Sequence, residues 1–306
     1  MTSHSKQKLN ISHLLKLANI SKSGYYRYLS QHDYRMNKDE QDEEDFKWIK
    51  AAYTFKRRHK GAKGIKMTLA AQFDIIMNLK KIRRLMKKYN LMCPIRKANP
   101  YKRMAKAMQT SNVADNKLQR NFKEGNPNQI FLTDITYLTY DLNKRAYLSV
   151  VKDGVTNEIV AYVVSDSLDI TFVEQTMDQL ETLMLDPKAL INSDQGCHYT
   201  SYAFQNRVKA LGLEQSMSRR GNCWDNAPIE SFFGHMKDEI NLMDCKSFQD
   251  VKQEIDDYMD YYNNDRYQWN LNRMTPKQYG DSLRNNNKKD GRSKPEQPSI
   301  NQLIKY

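Results

Sequence analysis

The stretch IFLTDITYLTY, residues 130–140, decides how the chain should fold. It is rich in β-branched and aromatic residues. Two similar runs follow after short turn-like segments: AYLSVVKDGV at 146–155 and EIVAYVVSDSL at 158–168. Runs of this composition, separated by short polar segments, are typical of consecutive β-strands. We therefore predict that the centre of the chain begins with three strands in a meander.

Helix and strand patterns alternate after the meander. An amphipathic helix is predicted at 171–184, a buried strand at 188–194, a helix ended by glycine at 199–212, and a fifth strand at 213–218. Three strands followed by this alternation predict a mixed α/β sheet with helices packed on it.

The next stretch, DNAPIESFFGHMKDEI at 225–240, predicts a helix with Asp225 or Asn226 as its cap and Pro228 in its first turn. Its apolar residues recur at three- and four-residue spacing, which predicts a core-facing side. Glu230 lies at the border of that side, and Lys237 follows two turns later in the same direction. A carboxylate beside a core-facing surface calls for a functional explanation.

Positive charge is concentrated in the first 125 residues of the 306-residue chain. They contain 29 Lys and Arg against 10 Asp and Glu, a net of +19, whereas residues 126–306 carry a net of −6. This asymmetry favours a nucleic-acid-binding module joined to a second domain. A basic surface that only supports solubility is the alternative.

The basic half is predicted to be helical. Residues 11–30 predict two short helices, with Ser21 capping the second, arranged as a helix-turn-helix or as a small packing hairpin. Acids at the front of 38–60 and bases at its back predict one long helix, because this order suits the helix dipole. Gly61 and Gly64 are predicted to break the helical pattern before two further helices.

The last of these helices, within NLKKIRRLMKKYNLM at 78–92, is the most basic. A helix this cationic repels itself unless it faces a polyanion, so we predict that it contacts DNA phosphates. An exposed basic helix without a partner is the alternative. The predicted DNA-binding side chains are Lys80, Lys81, Arg83, Arg84, Lys87 and Lys88.

Three carboxylates suggest chemistry at the sheet. Asp134 shares a strand face with apolar residues, Asp194 follows the fourth strand, and Glu230 lies on the helix described above. If the first and fourth strands are neighbours, the two aspartates approach each other and the helix closes the site. Such a cluster requires a cation, and oxygen ligands favour Mg²⁺ or Mn²⁺. Two ions about 4 Å apart can activate an attacking hydroxyl at a phosphodiester.

Two further residues are predicted to contact DNA near this site. Gly196 permits a tight turn after Asp194, and the hydroxyl of Tyr199 then becomes available to a DNA backbone. Lys237 is placed to hold a phosphate near the metal ions, although an ordinary surface lysine fits its spacing equally well.

Other classes of function lack support in the sequence. The histidines and cysteines show no zinc-site spacing, and no GxxxxGK[ST] phosphate-binding loop is present. The cysteines form no CxxC pair, which favours reduced thiols in a cytoplasmic protein. No apolar run predicts a membrane span or a signal peptide. A cytoplasmic location is therefore expected.

Several segments resemble one family, the bacterial insertion-sequence transposases with a retroviral-integrase-like Asp-Asp-Glu core, and in particular OrfB of the two-reading-frame group. The core motifs are FLTDITYL (131–138), NSDQGCHYTS (192–201) and RRGNCWDNAPIESFFGHMKDEI (219–240). The segment ISKSGYYRYL (20–29), the region around GAKGIKMTLAAQ (61–72) and YYNNDRYQWNLNRMTPKQY (261–279) resemble the family's N-terminal segment, helix-turn-helix-like region and C-terminal signature.

The resemblance implies a ribonuclease-H-like fold in which Asp134, Asp194 and Glu230 are the catalytic metal ligands. It implies that water first cuts a strand at the element's end, and that the released 3′-hydroxyl then attacks a second phosphodiester. Lys237 matches a basic residue that the family places against transposon-end DNA, and Thr275 is expected to begin a short helix. The implied partners are terminal-repeat and target DNA, an OrfA partner or fusion, and further copies of the chain assembled on DNA.

The chain departs from the family pattern around the second aspartate. Asn192 stands where histidine is expected, and Cys197 and His198 replace a Ser-Gln pair. Two alternatives stay open: a catalytically silent DNA-binding regulator, and a ribonuclease-H-like nuclease without joining activity. The predicted segments are an N-terminal helical segment (1–37), a helix-turn-helix-like DNA-binding region (38–97), a basic linker (98–125), the catalytic core (126–245), a C-terminal helical extension (246–280) and a polar tail (281–306).

Overall fold

The predicted mixed sheet is present in the computed structural model, which describes residues 10–93, 114–119, 121–122, 125–219 and 225–289. Its strands are β1 (Ile130–Tyr140), β2 (Lys144–Asp153), β3 (Ile159–Ser165), β4 (Leu190–Ser193) and β5 (Glu214–Met217). Their order across the sheet is β3-β2-β1-β4-β5. The first three strands pair antiparallel, whereas β4 runs parallel to both β1 and β5. The predicted fold class is confirmed: this is the strand arrangement of a ribonuclease-H-like core.

Helices cover both faces of the sheet. Helices α6 (Thr171–Asp178) and α7 (Tyr202–Ala210) pack on one face, and α8 (Ala227–Glu239) and α9 (Phe248–Asn264) pack on the other. The sheet therefore separates two apolar cores. This explains why most positions of the central strand β1 are buried on both faces.

The side chains of β1 alternate between these two cores. Phe131 points toward α6 and α7, whereas Leu132 and Leu138 point toward α8 and α9. Full burial of such a side chain contributes about 2–3 kcal/mol relative to exposure. Asp134 and Thr136 lie between the two leucines at the same alternate spacing, so they face α8, as the sequence pattern predicts.

The basic half forms a helical region whose helices differ in extent from the prediction. They are α1 (Ile11–Leu17), α2 (Lys22–Ser30), α3 (His32–Thr54), α4 (Ala62–Gln72) and α5 (Leu79–Lys88). Ser21 caps α2 as predicted, since its hydroxyl accepts a hydrogen bond from the amide of Gly24. Helix α3 begins before residue 38 and ends before residue 60. It ends because Lys56 and Arg57 adopt positive φ angles of 57° and 56°.

Gly64 does not break the helical pattern, contrary to the prediction. Gly61 is the N-cap of α4, and Gly64 lies inside the first turns of that helix. A Cβ atom at Gly64 would lie 3.2 Å from the Cβ of Lys60. The glycine therefore permits a close approach of the preceding chain to α4.

The helical region packs against α9 and the chain that follows it. The guanidinium of Arg58 donates to Glu254 of α9 at 2.5 Å, and the amide of Gln72 donates to the hydroxyl of Tyr267 at 2.8 Å. Arg58 is buried. A buried, charge-assisted contact of this kind fixes the orientation of the two regions more firmly than an exposed ion pair would.

The C-terminal helix α10 (Pro276–Lys289) begins after Thr275, as expected from the family resemblance. The Thr275 hydroxyl accepts a hydrogen bond from the amide of Gln278, which caps the helix. The helix continues past the predicted start of the polar tail at 281. Most of the predicted linker and residues 290–306 lie outside the described residues. Within the described ranges, no helix is long and apolar enough to cross a membrane.

Candidate active site

Asp134 and Asp194 occupy matching positions on neighbouring strands. The last residue pair between the parallel strands β1 and β4 is Leu132 with Asn192, and each aspartate follows two residues later. Parallel strands in register carry matching positions side by side, so both carboxylates lie at the carboxyl end of β4. Ligands collect at this edge in open α/β sheets. Asp134 is buried and Asp194 is half-buried.

Local hydrogen bonds orient both aspartates. One carboxylate oxygen of Asp134 accepts from the amide of Ile135 at 2.8 Å, and one of Asp194 accepts from the amide of Gly196 at 2.9 Å. A Cβ atom at Gly196 would lie only 2.8 Å from the same Asp194 oxygen. A side chain at position 196 would therefore displace the Asp194 carboxylate, in agreement with the tight turn predicted there.

Tyr199 lies beneath the two aspartates. Its ring packs against Phe204 in the core, and only 2% of the residue is exposed. Burial raises the pKa of its hydroxyl well above the usual value, and the negative charges of Asp134 and Asp194 add to that shift. Both carboxylates therefore act on the same phenol. Such burial does not suit the predicted contact with DNA, and we propose instead that Tyr199 supports the site from within the core.

Helix α8 places Glu230 and Lys237 over the sheet face that carries Asp134. The apolar side of the helix, including Ile229 and Phe232, is buried against the sheet as the periodicity predicts. The ammonium of Lys237 donates to the hydroxyl of Thr136 at 2.5 Å. Thr136 is two residues after Asp134 on the same face, so Lys237 lies over the part of β1 that carries Asp134. Glu230 is half-buried on this border.

Two residues that the sequence interpretation did not single out hold the start of α8. The ammonium of Lys152, only 4% exposed in β2, donates to the carbonyl of Pro228 at 3.3 Å. The amide of Asn192 donates to the carbonyl of Asp225 at 3.2 Å. The sequence signal for Lys152 is its place directly after the apolar residues Val150 and Val151. Asn192 was noted only as a departure from the family pattern.

The carboxylates suit a hard divalent ion in chemistry, but their three-ligand arrangement is not complete. Within the described parts of the chain, no group of three or more His, Cys, Asp and Glu residues is placed so that it could hold a metal ion. The structure brings Asp134 and Asp194 together and places Glu230 on the facing helix. The convergence of all three on two metal ions stays a prediction.

The six predicted DNA-binding cations of α5 fall into two groups. Arg84 donates two hydrogen bonds of 2.6 Å to the buried carboxylate of Asp42 in α3. Lys88 bonds to the same carboxylate at 3.0 Å, and Lys81 pairs with Asp45. These bonds hold the pKa of Asp42 far below its usual value. Half of the cationic helix is therefore neutralised within the protein.

The second group consists of exposed cations that make no ion pair with a carboxylate in the described ranges. They lie about 100° around α5 from the paired cations, because each directly precedes a paired cation in the chain. These side chains are Lys80, Arg83 and Lys87.

Comparison with known families agrees with this geometry. A family model described as an integrase core domain matches residues 124–223, and a second model with the same description matches residues 211–276. A model described as an HTH-like domain matches residues 40–99. The chain is thus a protein with an integrase core that follows a helix-turn-helix-like domain.

Similar proteins narrow this class. The putative transposase InsK for insertion sequence element IS150 of Escherichia coli (strain K12) is 32% identical over 276 residues, which cover 90% of this chain and 94% of that protein. An uncharacterized transposase-like protein of Haemophilus influenzae is 35% identical over 216 residues, covering 70% and 97%. The chain belongs to the family of insertion-sequence transposases with an integrase core, as its motifs indicate.

Among solved structures, the catalytic core domain of HTLV-2 integrase in complex with magnesium (dimeric form) is similar with a TM-score of 0.41 and 18% sequence identity. The match covers 51% of this chain and 97% of that chain.

Proposed function

We propose that this chain is a polynucleotidyl transferase that cleaves DNA at the ends of an insertion sequence and joins the released 3′-hydroxyl to a second phosphodiester. The observation that carries the proposal is the pairing of β1 with β4, which sets Asp134 beside Asp194. Helix α8, which packs on the same sheet, carries Glu230. Membership of the transposase family supports the same reaction.

The residues have separate roles in the proposal. Asp134, Asp194 and Glu230 hold Mg²⁺ or Mn²⁺, two ions per site, through carboxylate oxygens alone. The bound ions supply the Lewis acidity that a phosphodiester displacement needs. Lys237 contributes a cation seven residues after Glu230 on the same border of α8, where it can bind a backbone phosphate in place of the Thr136 hydroxyl.

Assembly with DNA is part of the proposal. The HTH-like match and the exposed cations Lys80, Arg83 and Lys87 support binding of α5 to the DNA backbone. Terminal-repeat and target DNA are the substrates, an OrfA partner or fusion supplies further end recognition, and several copies act together on DNA. Cleavage and joining of DNA would take place at the bacterial nucleoid in the cytoplasm.

A catalytically silent DNA-binding regulator is the second candidate. One observation favours it: the three carboxylates do not form a group that could hold a metal ion within the described residues. The two candidates differ in a single property, because only the transferase consumes its DNA.

Strand transfer with labelled terminal-repeat DNA and Mg²⁺ distinguishes them. Wild type should produce joined product, and Glu230→Gln should reduce it at least about a thousandfold, since a lost transition-state contact of about 4 kcal/mol has this effect. Glu214→Gln, which changes an exposed carboxylate on β5, is the matched control and should join normally. DNA binding without cleavage by wild type would support the regulator. Cleavage without joining would indicate a plain nuclease.

A further inference from the structure

A cluster of two cations and one indole ring lies where the helical region meets the chain after α9. The ammonium of Lys63, in the first turn of α4, lies 5.3 Å from the centre of the Trp269 ring. The guanidinium carbon of Arg273 lies 4.9 Å from the same centre. Both distances are within the range of cation–π attraction. All three side chains are exposed, and 42% of Trp269 is open to solvent.

Neither cation of this cluster has a carboxylate as a direct ion-pair partner within the described residues. Nearby cations are paired: Lys56 with Asp265 at 3.3 Å, and Arg266 with Glu239 at 2.7 Å. Lys63 and Arg273, by contrast, form no ion pair with a carboxylate in the parts of the chain that the structure describes. Two cations without a carboxylate partner that contact the same ring attract an anionic ligand.

The loop that carries Trp269 and Arg273 is rigidly built. Hydrogen bonds of 2.9 Å from Gln268 to Met274 and of 2.8 Å from Met274 to Leu271 close it, and Leu271 is buried beneath it. Arg273 has a φ of +65°, a left-handed conformation that costs a long side chain about 1 kcal/mol or more. The loop thus holds the backbone from which the Arg273 side chain extends.

The cluster borders a cavity that is also lined by residues of α8. This cavity, of about 720 Å³, is lined by Lys63 and Trp269 and by residues of α8, namely Ser231, His235, Asp238 and Glu239. Ser231 follows Glu230 directly in the chain. A polyanion bound at the cluster would therefore be held beside the helix that carries the third predicted metal ligand.

We infer that Lys63, Trp269 and Arg273 form a clamp for the DNA phosphate backbone, separate from the basic face of α5. Trp269 acts as the positioning residue that holds the two cations, and each cation neutralises one phosphate of a duplex. The clamp joins the helical region to the C-terminal extension, so DNA bound there contacts both. This inference rests on the proposed function for its substrate, which is DNA.

Salt dependence measures the clamp directly. Fluorescence anisotropy with a labelled duplex of about 30 base pairs gives the slope of log K against log [KCl], and each phosphate contact contributes about 0.9 to that slope. Lys63→Ala and Arg273→Ala should each lower the slope by about 0.9, and the double variant by about 1.8. Lys144→Ala removes an exposed lysine that is already paired with Asp141, and it should leave the slope unchanged.

The positioning role of Trp269 has its own test. Trp269→Ala should lower the slope in the wild-type background, whereas Trp269→Phe should keep it, because a phenyl ring still attracts cations. In the Lys63→Ala/Arg273→Ala background, Trp269→Ala should have no further effect on the slope. A drop of the same size in both backgrounds would overturn the positioning role.

The clamp and the proposed function fail in distinguishable ways. If both cation variants keep the wild-type slope while Glu230→Gln abolishes joining, the clamp is wrong and the transferase stands. If wild type never joins DNA but the cation variants lower the slope, the clamp stands on a protein that only binds DNA.

Discussion

Asp134 places a carboxylate where β1 otherwise buries apolar side chains. Only 7% of the residue is exposed, and it lies between Leu132 and Leu138 on the face covered by α8. Burying a charge in such surroundings costs free energy, even when hydrogen bonds offset part of the cost. Proteins tolerate such a cost mainly where function requires the charge. At the residue scale, burial of the Asp134 carboxylate therefore lowers the stability of the fold, which is the pattern expected of a carboxylate with the proposed catalytic role.

The cost of burying the Asp134 carboxylate leads to a prediction for the variant Asp134→Asn. Asp134→Asn keeps the shape of the side chain, removes its repulsion with Asp194, and should abolish strand joining. The same change should raise the free energy of unfolding by about 1 kcal/mol, as removal of a buried functional charge commonly does. Urea denaturation measures the second effect. A variant that loses both stability and activity would show that Asp134 has a structural role instead.

At the scale of the element, α5 has a structural side and an open side. Arg84, Lys88 and Lys81 neutralise the acids of α3, whereas Lys80, Arg83 and Lys87 point away from it. The acids at the front of α3 were interpreted from the sequence only through the dipole of their own helix. Their pairing with α5 depends on how the two helices cross, and spacing within one helix does not reveal that.

The two sides should respond differently to the loss of charge. Alanine at all three open positions should lower the salt-dependence slope of DNA binding by up to about 2.7. It should leave the melting temperature nearly unchanged.

Arg84→Ala should instead lower the free energy of unfolding by about 2–3 kcal/mol, because the buried carboxylate of Asp42 loses two charge-assisted bonds. Thermal melts followed by circular dichroism and anisotropy titrations on the same samples give both quantities. Loss of DNA binding without destabilisation in Arg84→Ala would show that the paired side also contacts DNA.

How much the sequence predicts depends on how local the cause is. The strands of the meander, the core-facing side of α8 and the cap at Ser21 follow from patterns within a few residues, and they are confirmed. The start of α10 after Thr275 is expected from the family resemblance, and it is also confirmed. The matching of Asp134 with Asp194 was conditional on which strands are neighbours, which the sheet order supplies. The burial of Tyr199 and the hold of Lys152 on α8 depend on packing between distant segments, so no local pattern shows them.

At the scale of the whole molecule, the helical region and the core meet around Lys60. Its ammonium donates to the carbonyls of Phe55 and Arg58 at 2.6 and 2.8 Å, and it lies 5.3 Å from the ring of Phe55 and 5.4 Å from that of Tyr261 in α9. Burial lowers the pKa of Lys60 to about 8. The junction therefore contains a lysine that loses its charge near neutral pH.

The pH dependence of stability follows from this lowered pKa. Between about pH 8 and 10.5 the unfolded chain keeps the Lys60 proton and the folded chain does not, so the free energy of unfolding rises with pH in this window. The rise from Lys60 is at most about 3 kcal/mol, from a shift of about 2.5 pH units.

Lys60→Met should remove this contribution. Comparing the unfolding of wild type and Lys60→Met at pH 7 and pH 10 isolates it from the tyrosines that titrate in the same range. An equal difference in stability at both pH values would show that the Lys60 pKa is not lowered.

Arg58 makes a second hydrogen bond, which connects the helical region to α8. Besides its pair with Glu254, its guanidinium donates at 3.4 Å to the carbonyl of Glu239, the last residue of α8. Arg58 therefore links the N-terminal helices to the C-terminal end of α8, the helix that bears Glu230. A force that bound DNA exerts on the N-terminal helices would be transmitted to α8 through this residue. In the proposed function, this bond would couple DNA binding by the N-terminal helices to the placement of Glu230.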